Sequence, residues 1–450
     1  MDLRAAIDDY HALLSDELAG ETAALLTDLQ RRRGLTFGDR PLCTVLRPRL
    51  LLPEHYRYLA ETVRVLLGAF ARAHAAALAD DSVRAQFALN DWEEAFALED
   101  PGFRAPSPTS RLDTFYFPET GALALTEYNA ETPAAPAYCD TISEVFYALP
   151  AMREFMRRYE VRPLPARHNV LHALLDAYRQ WSGRAEAPRI AILDWREVPT
   201  YSEHVLFREY FRSLGLECIT ADPREVEYRD GKLLAGDFAI TLIYKRVLLS
   251  ELVERGGRDH PVIRAVRERA ACMVNPFACK ILHKKASLAV LSDERNAALF
   301  TAEQQAAIAR HIPWTRRVEE RHTLFAGERV DLVPFIAAHR ERLVLKANDE
   351  YGGKGIVLGW LTAPDEWERA IQAALAEPFV VQDRVPIPEE VYPTYDAGHV
   401  TLANRIMDTA PFVFYGDSMD GCLTRLSTNA LVNVTAGGGS TVPTYVVSLR

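Results

Sequence analysis

Leu343-Val-Leu-Lys-Ala-Asn-Asp-Glu-Tyr-Gly-Gly-Lys-Gly-Ile-Val-Leu-Gly-Trp360 reads as strand, tight loop, strand. Aliphatic runs at 343–345 and 356–358 flank the loop Tyr351-Gly-Gly-Lys-Gly355. Gly352, Gly353 and Gly355 lack the Cβ atoms that would hold the backbone away from a ligand, and they permit φ > 0. Successive N–H groups in such a turn converge on anionic oxygen, and Lys354 adds charge at the tip. The loop is suited to cover a polyphosphate; an ordinary Gly-rich β-turn is the plain alternative. Two commoner phosphate loops do not match. A Walker loop needs Ser or Thr after Gly-Lys and then a helix, whereas Gly353-Lys354 meets Gly355 and a strand. A dinucleotide loop needs Gly or Ala where Leu358 stands, and it too opens a helix.

A chain of 450 residues exceeds one small core and implies two or three domains. The formal charge of −10, with no basic block beyond 31–33, argues against nucleic-acid binding. Six scattered cysteines without C-x-x-C spacing indicate neither a disulfide framework nor zinc. The opening residues read as an amphipathic helix rather than a signal peptide, and no run of 18 apolar residues occurs. A cytoplasmic protein without membrane attachment is the expectation.

Residues 1 to about 95 carry helical spacing, with Leu59, Val63, Leu66, Leu67 and Phe70 on one face of a helix after Pro53. The period then changes. Residues 111–117 and 122–129 read as strands joined by Pro118-Glu-Thr-Gly121. This five-residue connection pairs Phe117 with Leu123, and hence Asp113 with Glu127 and Arg111 with Asn129. Leu123, Leu125, Glu127 and Asn129 would then share a face. Three oxygen ligands beside an arginine suit Mg²⁺, which takes few carboxylates and completes its shell with phosphate oxygens and water. A hairpin whose polar end faces solvent is the alternative.

From 189 onward, short strands alternate with helices, as in a Rossmann-like three-layer unit. Asp194, Glu203, Lys245 and Arg246 sit at or beyond strand ends, where open α/β sheets place ligands. Asn275-Pro-Phe-Ala-Cys-Lys280 turns into a helix on which Lys280 and Lys284 share a face. That like-charge pair is destabilising unless an anion bridges it. The segment 378–386 gives an apolar strand running into a polar stretch, whose backbone could meet an adenine edge while Val380 and Val385 pack on the ring. Arg425 and Asn433, before the last glycine run, are candidate phosphate or substrate contacts.

Together these segments resemble the ATP-grasp superfamily, in particular its circularly permuted, glutathionylspermidine synthase-like branch, from about residue 105 onward. Arg111-x-Asp113 with Glu127-x-Asn129-Ala-Glu-Thr-Pro resembles that branch's metal module. Lys280 and Lys346 resemble its two nucleotide lysines, Gly352-Gly-Lys-Gly355 its phosphate-covering loop, and Val381-Gln-Asp-Arg-Val385 its adenine linker. The metal module precedes the loop here, which is the permuted order.

The resemblance implies an α/β fold with α+β elements: a permuted ATP-grasp fold, a Rossmann-like pre-ATP-grasp domain and a helical N-terminal region. The implied boundaries are 1–100 (helical), 101–185 (metal-binding), 186–275 (Rossmann-like, substrate) and 276–450 (nucleotide-binding). It further implies an ATP- and Mg²⁺-dependent carboxylate–amine ligase acting through an acyl phosphate. Asp113, Glu127 and Asn129 would hold the metal. ATP would meet Lys280, Lys346, Gly352, Gly353, Lys354, Gly355, Gln382, Asp383, Arg384 and Val385. Arg111 and Arg425 would be catalytic, with Glu203, Arg246 and Asn433 at the substrate. The partners would be a small-molecule or peptide carboxylate and an amine. No amidase-like segment accompanies these motifs, and nothing in the chain specifies glutathione or spermidine. A non-catalytic nucleotide-binding sensor or scaffold of the same fold is the second reading.

Overall fold

A computed structural model describes residues 2–350, 352–428 and 439–450. The expected hairpin forms as strands Thr109–Phe117 and Ala122–Asn129, with Arg111 opposite Asn129 and Asp113 opposite Glu127. The route to those pairs differs from the turn-length reading. Phe117 pairs with Ala122, not Leu123, and a bulge at Thr126 brings Glu127 back opposite Asp113. An extra residue in one strand switches its alternation. Leu125 lies opposite Thr114, so it faces away from Glu127 rather than sharing its side.

The consequence is a hairpin with one apolar and one polar face. Leu112, Leu125 and Tyr128 join a core with Val63, Leu66 and Phe70 of the helix Pro53–Ala79. That 27-residue helix is long and apolar enough to cross a membrane by length and composition; here half of its most apolar window is buried. The hairpin belongs to a seven-stranded sheet whose remaining strands come from the last quarter of the chain, and Arg111 pairs with Phe412.

A separate antiparallel sheet runs Thr315–Arg317, Phe379–Asp383, Leu343–Ala347 and Ile356–Leu358. The helix Pro364–Ala376 packs Trp367, Ile371 and Ala374 on it, against Leu343, Leu345 and Val381. The loop between its last two strands turns with φ of +66°, +83° and +65° at Gly352, Gly353 and Gly355. At Gly355 a Cβ would stand 2.6 Å from that of Ala347, so glycine is required on both counts.

The third sheet is wholly parallel, in the order Cys272–Val274, Leu242–Lys245, Ile190–Leu193, Cys218–Ala221. Its central strands are buried on both faces, which accounts for their continuous apolar runs. Two further expectations change. The helix expected after Asn275 is broken at Lys284 into Cys279–His283 and Ala286–Ser292. The N-terminal helical stretch also contributes a strand, Arg49–Leu51, parallel to the C-terminal strand Thr444–Leu449. All six cysteines are free and buried.

Candidate functional site

Two regions more than 200 residues apart face each other across a cavity of about 150 Å³. One wall is the hairpin end, with Asp113, Thr126 and Glu127; the other is the antiparallel sheet and its linker, with Lys346, Gln382, Asp383, Arg384 and Val385. Val344, Ile356, Leu358 and Trp360 supply an apolar floor, and Arg384 stacks 4.1 Å over the Trp360 ring. This is a mostly apolar slot with charge at one end.

The charged end is a chain of ion pairs. Asp113 accepts from Arg111 Nε at 2.8 Å and from Arg425 Nη2 at 2.7 Å. Burial pushes its carboxyl up, but the two guanidiniums outweigh this and hold it well below the usual carboxylate range. Arg425 is braced by Asp408, which accepts from Nε at 2.6 Å and from the Arg425 amide at 2.8 Å. Glu127 accepts from Lys285 Nζ at 3.0 Å; burial and Asp113 push its carboxyl up, but Lys285 and Lys346 together outweigh them and lower it. Lys346 Nζ donates to Gln382 Oε1 at 2.6 Å and to the bulge carbonyl of Thr126 at 3.2 Å. Burial pushes its ammonium down to about 8.

Behind Arg425 opens a second cavity of about 360 Å³. Arg111, Asn129 and Arg425 line its hairpin side, Asp194 and Arg246 its parallel-sheet side, and Gly352 and Lys354 of the glycine loop its roof. The loop therefore borders the second cavity, and Arg425 lines both. A larger cavity of about 800 Å³ sits at the opposite, turn end of the hairpin, around Phe117–Glu119 and Arg49, and contains none of these residues.

Several expected contacts are placed elsewhere. Lys280 lines neither cavity; its buried ammonium lies 2.6 Å from Asp349, 3.2 Å from Glu131 and 3.4 Å from Glu93. The anions that relieve its like-charge contact with Lys284 are thus Glu93 and Asp349, 2.8 and 2.9 Å from Lys284. Lys285, one residue further on, faces Glu127 instead. Glu203 is wholly buried and accepts from the Ala135 and Ala137 amides, at 3.1 Å each, at the start of the helix Pro136–Ala148. That is a structural cap rather than a substrate contact. Val380 packs with Ala286 and Ala289 away from the pocket. The amides of Asp383 and Arg384 donate to Trp314 and Arg342 carbonyls, at 2.8 and 2.7 Å, so these two N–H groups are already engaged. Gly353 and Gly355 shape the loop without lining either cavity. Asn433 lies outside the described residues.

Lys285 and Asp408 are the site residues that the sequence does not single out. Lys285 is hidden in a run of lysines, and Asp408 meets Arg425 only through the pairing of neighbouring strands.

Asp113, Glu127 and Asn129 are oxygen donors of the kind hard cations take, and Asn129 Nδ2 is buried without a hydrogen-bond partner. Among the described residues, no three or more His, Cys, Asp or Glu side chains form a self-sufficient metal group. A cation held here would draw its remaining ligands from phosphate and water, as Mg²⁺ does. The donor set fits Mg²⁺.

In overall shape the chain is similar to a glutathione synthetase-like effector from Globodera pallida. The TM-score is 0.60 at 12% identity, covering 96% of this chain and 98% of that one. That likeness is one of overall fold. A putative gamma-glutamylcysteine synthetase from Methylobacillus flagellatus aligns over 84% of this chain and 87% of its own, at 12% identity and TM-score 0.43, too distant to carry weight. No protein-family model and no curated protein sequence matches the chain.

Proposed function

We propose that this chain is an ATP-grasp-like, ATP- and Mg²⁺-dependent carboxylate–amine ligase that works through an acyl phosphate. The observation that carries the reading is the shared cavity: Asp113 and Glu127 face Lys346 and the 382–385 linker, and Arg425 connects that slot to a second chamber lined by Arg111, Asp194 and Arg246. The order of hairpin before loop supports a circularly permuted, glutathionylspermidine synthase-like arrangement. We divide the chain at about 100, 185 and 275 accordingly. Six buried free cysteines suit a reducing cytoplasm.

Asp113, Glu127 and Asn129 would hold Mg²⁺, which when bound supplies Lewis-acid neutralisation of the phosphates. Lys346 and Lys285 place ammonium groups beside the same carboxylates, where a triphosphate would take over their charge. Arg425 lines both cavities and Arg111 the second, both bound to Asp113, so they are positioned to steady charge passing from phosphate to acceptor carboxylate. The backbone of the glycine loop, whose Gly352 and Lys354 line the second chamber, would close over the phosphates and exclude water from a hydrolysable acyl phosphate. No nucleophilic side chain is required.

The test is incubation with MgATP, mixed amino acids or peptides, amines and hydroxylamine, followed by assay of ADP and hydroxamate. ADP formed together with hydroxamate supports the ligase. One observation favours a non-catalytic nucleotide-binding scaffold: Asp113 and Glu127 are each already engaged by a cation of the protein. Nucleotide binding without turnover across the panel would establish that second reading.

A further inference from the structure

The second cavity is electrically polarised. Arg111 and Arg425 lie on its hairpin side, while Asp194 stands on the opposite wall at the C-terminal end of the strand Ile190–Leu193, near Glu251 of the helix Leu249–Gly256. The cations around Asp194 are already matched. Lys245 pairs with Glu131 at 3.1 Å, and Arg246 lies 3.6 Å from Glu203. Asp194 itself has no Lys or Arg ion pair among the described residues. Its Oδ1 accepts from the Trp195 amide at 2.9 Å. Its Oδ2 lies 3.5 Å from His204 Nε2, a ring nitrogen buried without a hydrogen-bond partner. His204 is neutral, because burial pushes its pKa well below the ordinary value. A carboxylate only 7% exposed, on a cavity wall and without its own cation, is costly unless a ligand supplies the charge.

Building on the ligase reading, we propose that Asp194 anchors the ammonium of the amine substrate. The amine then lies on the parallel-sheet side of the chamber and the carboxylate on the Arg111–Arg425 side. Glu251 is a poorer anchor, since its Oε2 already accepts from Trp195 Nε1 at 2.8 Å. The environment also gives the anchor a pH signature. Burial pushes the Asp194 carboxyl up to about 7; Glu251 adds to this, while Arg246, Lys245 and the Trp195 amide oppose it. The pairing is therefore absent below about pH 6 and complete above about pH 8.

The experiment is saturation-transfer NMR on the full chain with n-propylamine, set against n-propanol as its uncharged isostere. The amine stays protonated through the range, with a pKa of about 10 like that of lysine. Transfer to the amine should rise about thirtyfold between about pH 5.5 and about pH 8.5, following ionisation of one carboxyl, with none to the alcohol. It should vanish in Asp194→Asn and persist in Glu251→Gln. Equal transfer to both probes, a flat pH profile, or loss in Glu251→Gln with Asp194→Asn intact would each overturn the proposal. The pH and alcohol arms need no variant, so a misfolded Asp194→Asn, identified from its melting curve, does not remove the test. Because turnover is not required, amine binding of this kind without ADP formation would sink the ligase reading alone. Hydroxamate formation by a protein indifferent to propylamine would sink only the anchor.

Discussion

Lys346 carries opposite pH trends for stability and for binding. Its folded pKa is about 8, against about 10.4 for a free lysine. Between those values the unfolded chain binds the extra proton, so the ligand-free protein should gain stability as pH rises. Nucleotide affinity should fall over the same range, because the ammonium facing the phosphates is being lost. Calorimetry with a non-hydrolysable MgATP analogue, together with melting curves from pH 7 to 9.5, checks both trends; Lys346→Met should flatten each. Asp113 is the second residue with a sharp expectation. Asp113→Ala leaves Arg111 and Arg425 side by side, which should cost about 3 kcal/mol in denaturant unfolding, the scale for breaking a buried pair. The same change should abolish ATP turnover. Normal hydrolysis by Asp113→Ala or Glu127→Ala would remove the metal assignment.

At the scale of elements, the bulge and the glycine loop do the positioning. Thr126 turns Leu125 into the core while Glu127 stays in the cleft, and its carbonyl receives Lys346. Leu125→Ala should therefore destabilise the chain by about 2–5 kcal/mol through the cavity it leaves, measured by urea unfolding. In the loop, Gly355→Ala meets both a left-handed backbone and the Ala347 side chain. A cost of about 1–2 kcal/mol is expected from the backbone alone. Because the loop acts by closing over the phosphates, turnover should suffer more than analogue affinity; equal losses in kcat and Kd would argue against a covering role. The bulge itself was not legible in the residues. Strict alternation from Leu123 put the leucines and Glu127 on one face, and no local pattern marks where an extra residue enters a strand.

At the scale of the whole molecule, the hairpin and the loop should respond together. The MgATP analogue at about 100 times its Kd should raise stability by about 2.7 kcal/mol. Hydrogen exchange should slow both at 111–129 and at 343–358, although these segments are far apart in sequence. Protection confined to one of them would contradict a shared site. The sequence alone determined what local chemistry can determine: strand periods, turn residues and the glycine loop, each set by neighbours a few positions away, whereas the Asp113–Glu127 and Arg111–Asn129 pairs also needed the bulge at Thr126. Tertiary structure decided which charges answer which. Lys280 looks like a phosphate ligand until Glu93, Glu131 and Asp349 surround it, and Glu203 looks like a substrate contact until it caps a helix. Lys285 and Asp408 gain their roles only from where Glu127 and Arg425 arrive. The reason is physical: a charge's role depends on its partners and its burial, and both are set by contacts between distant parts of the chain.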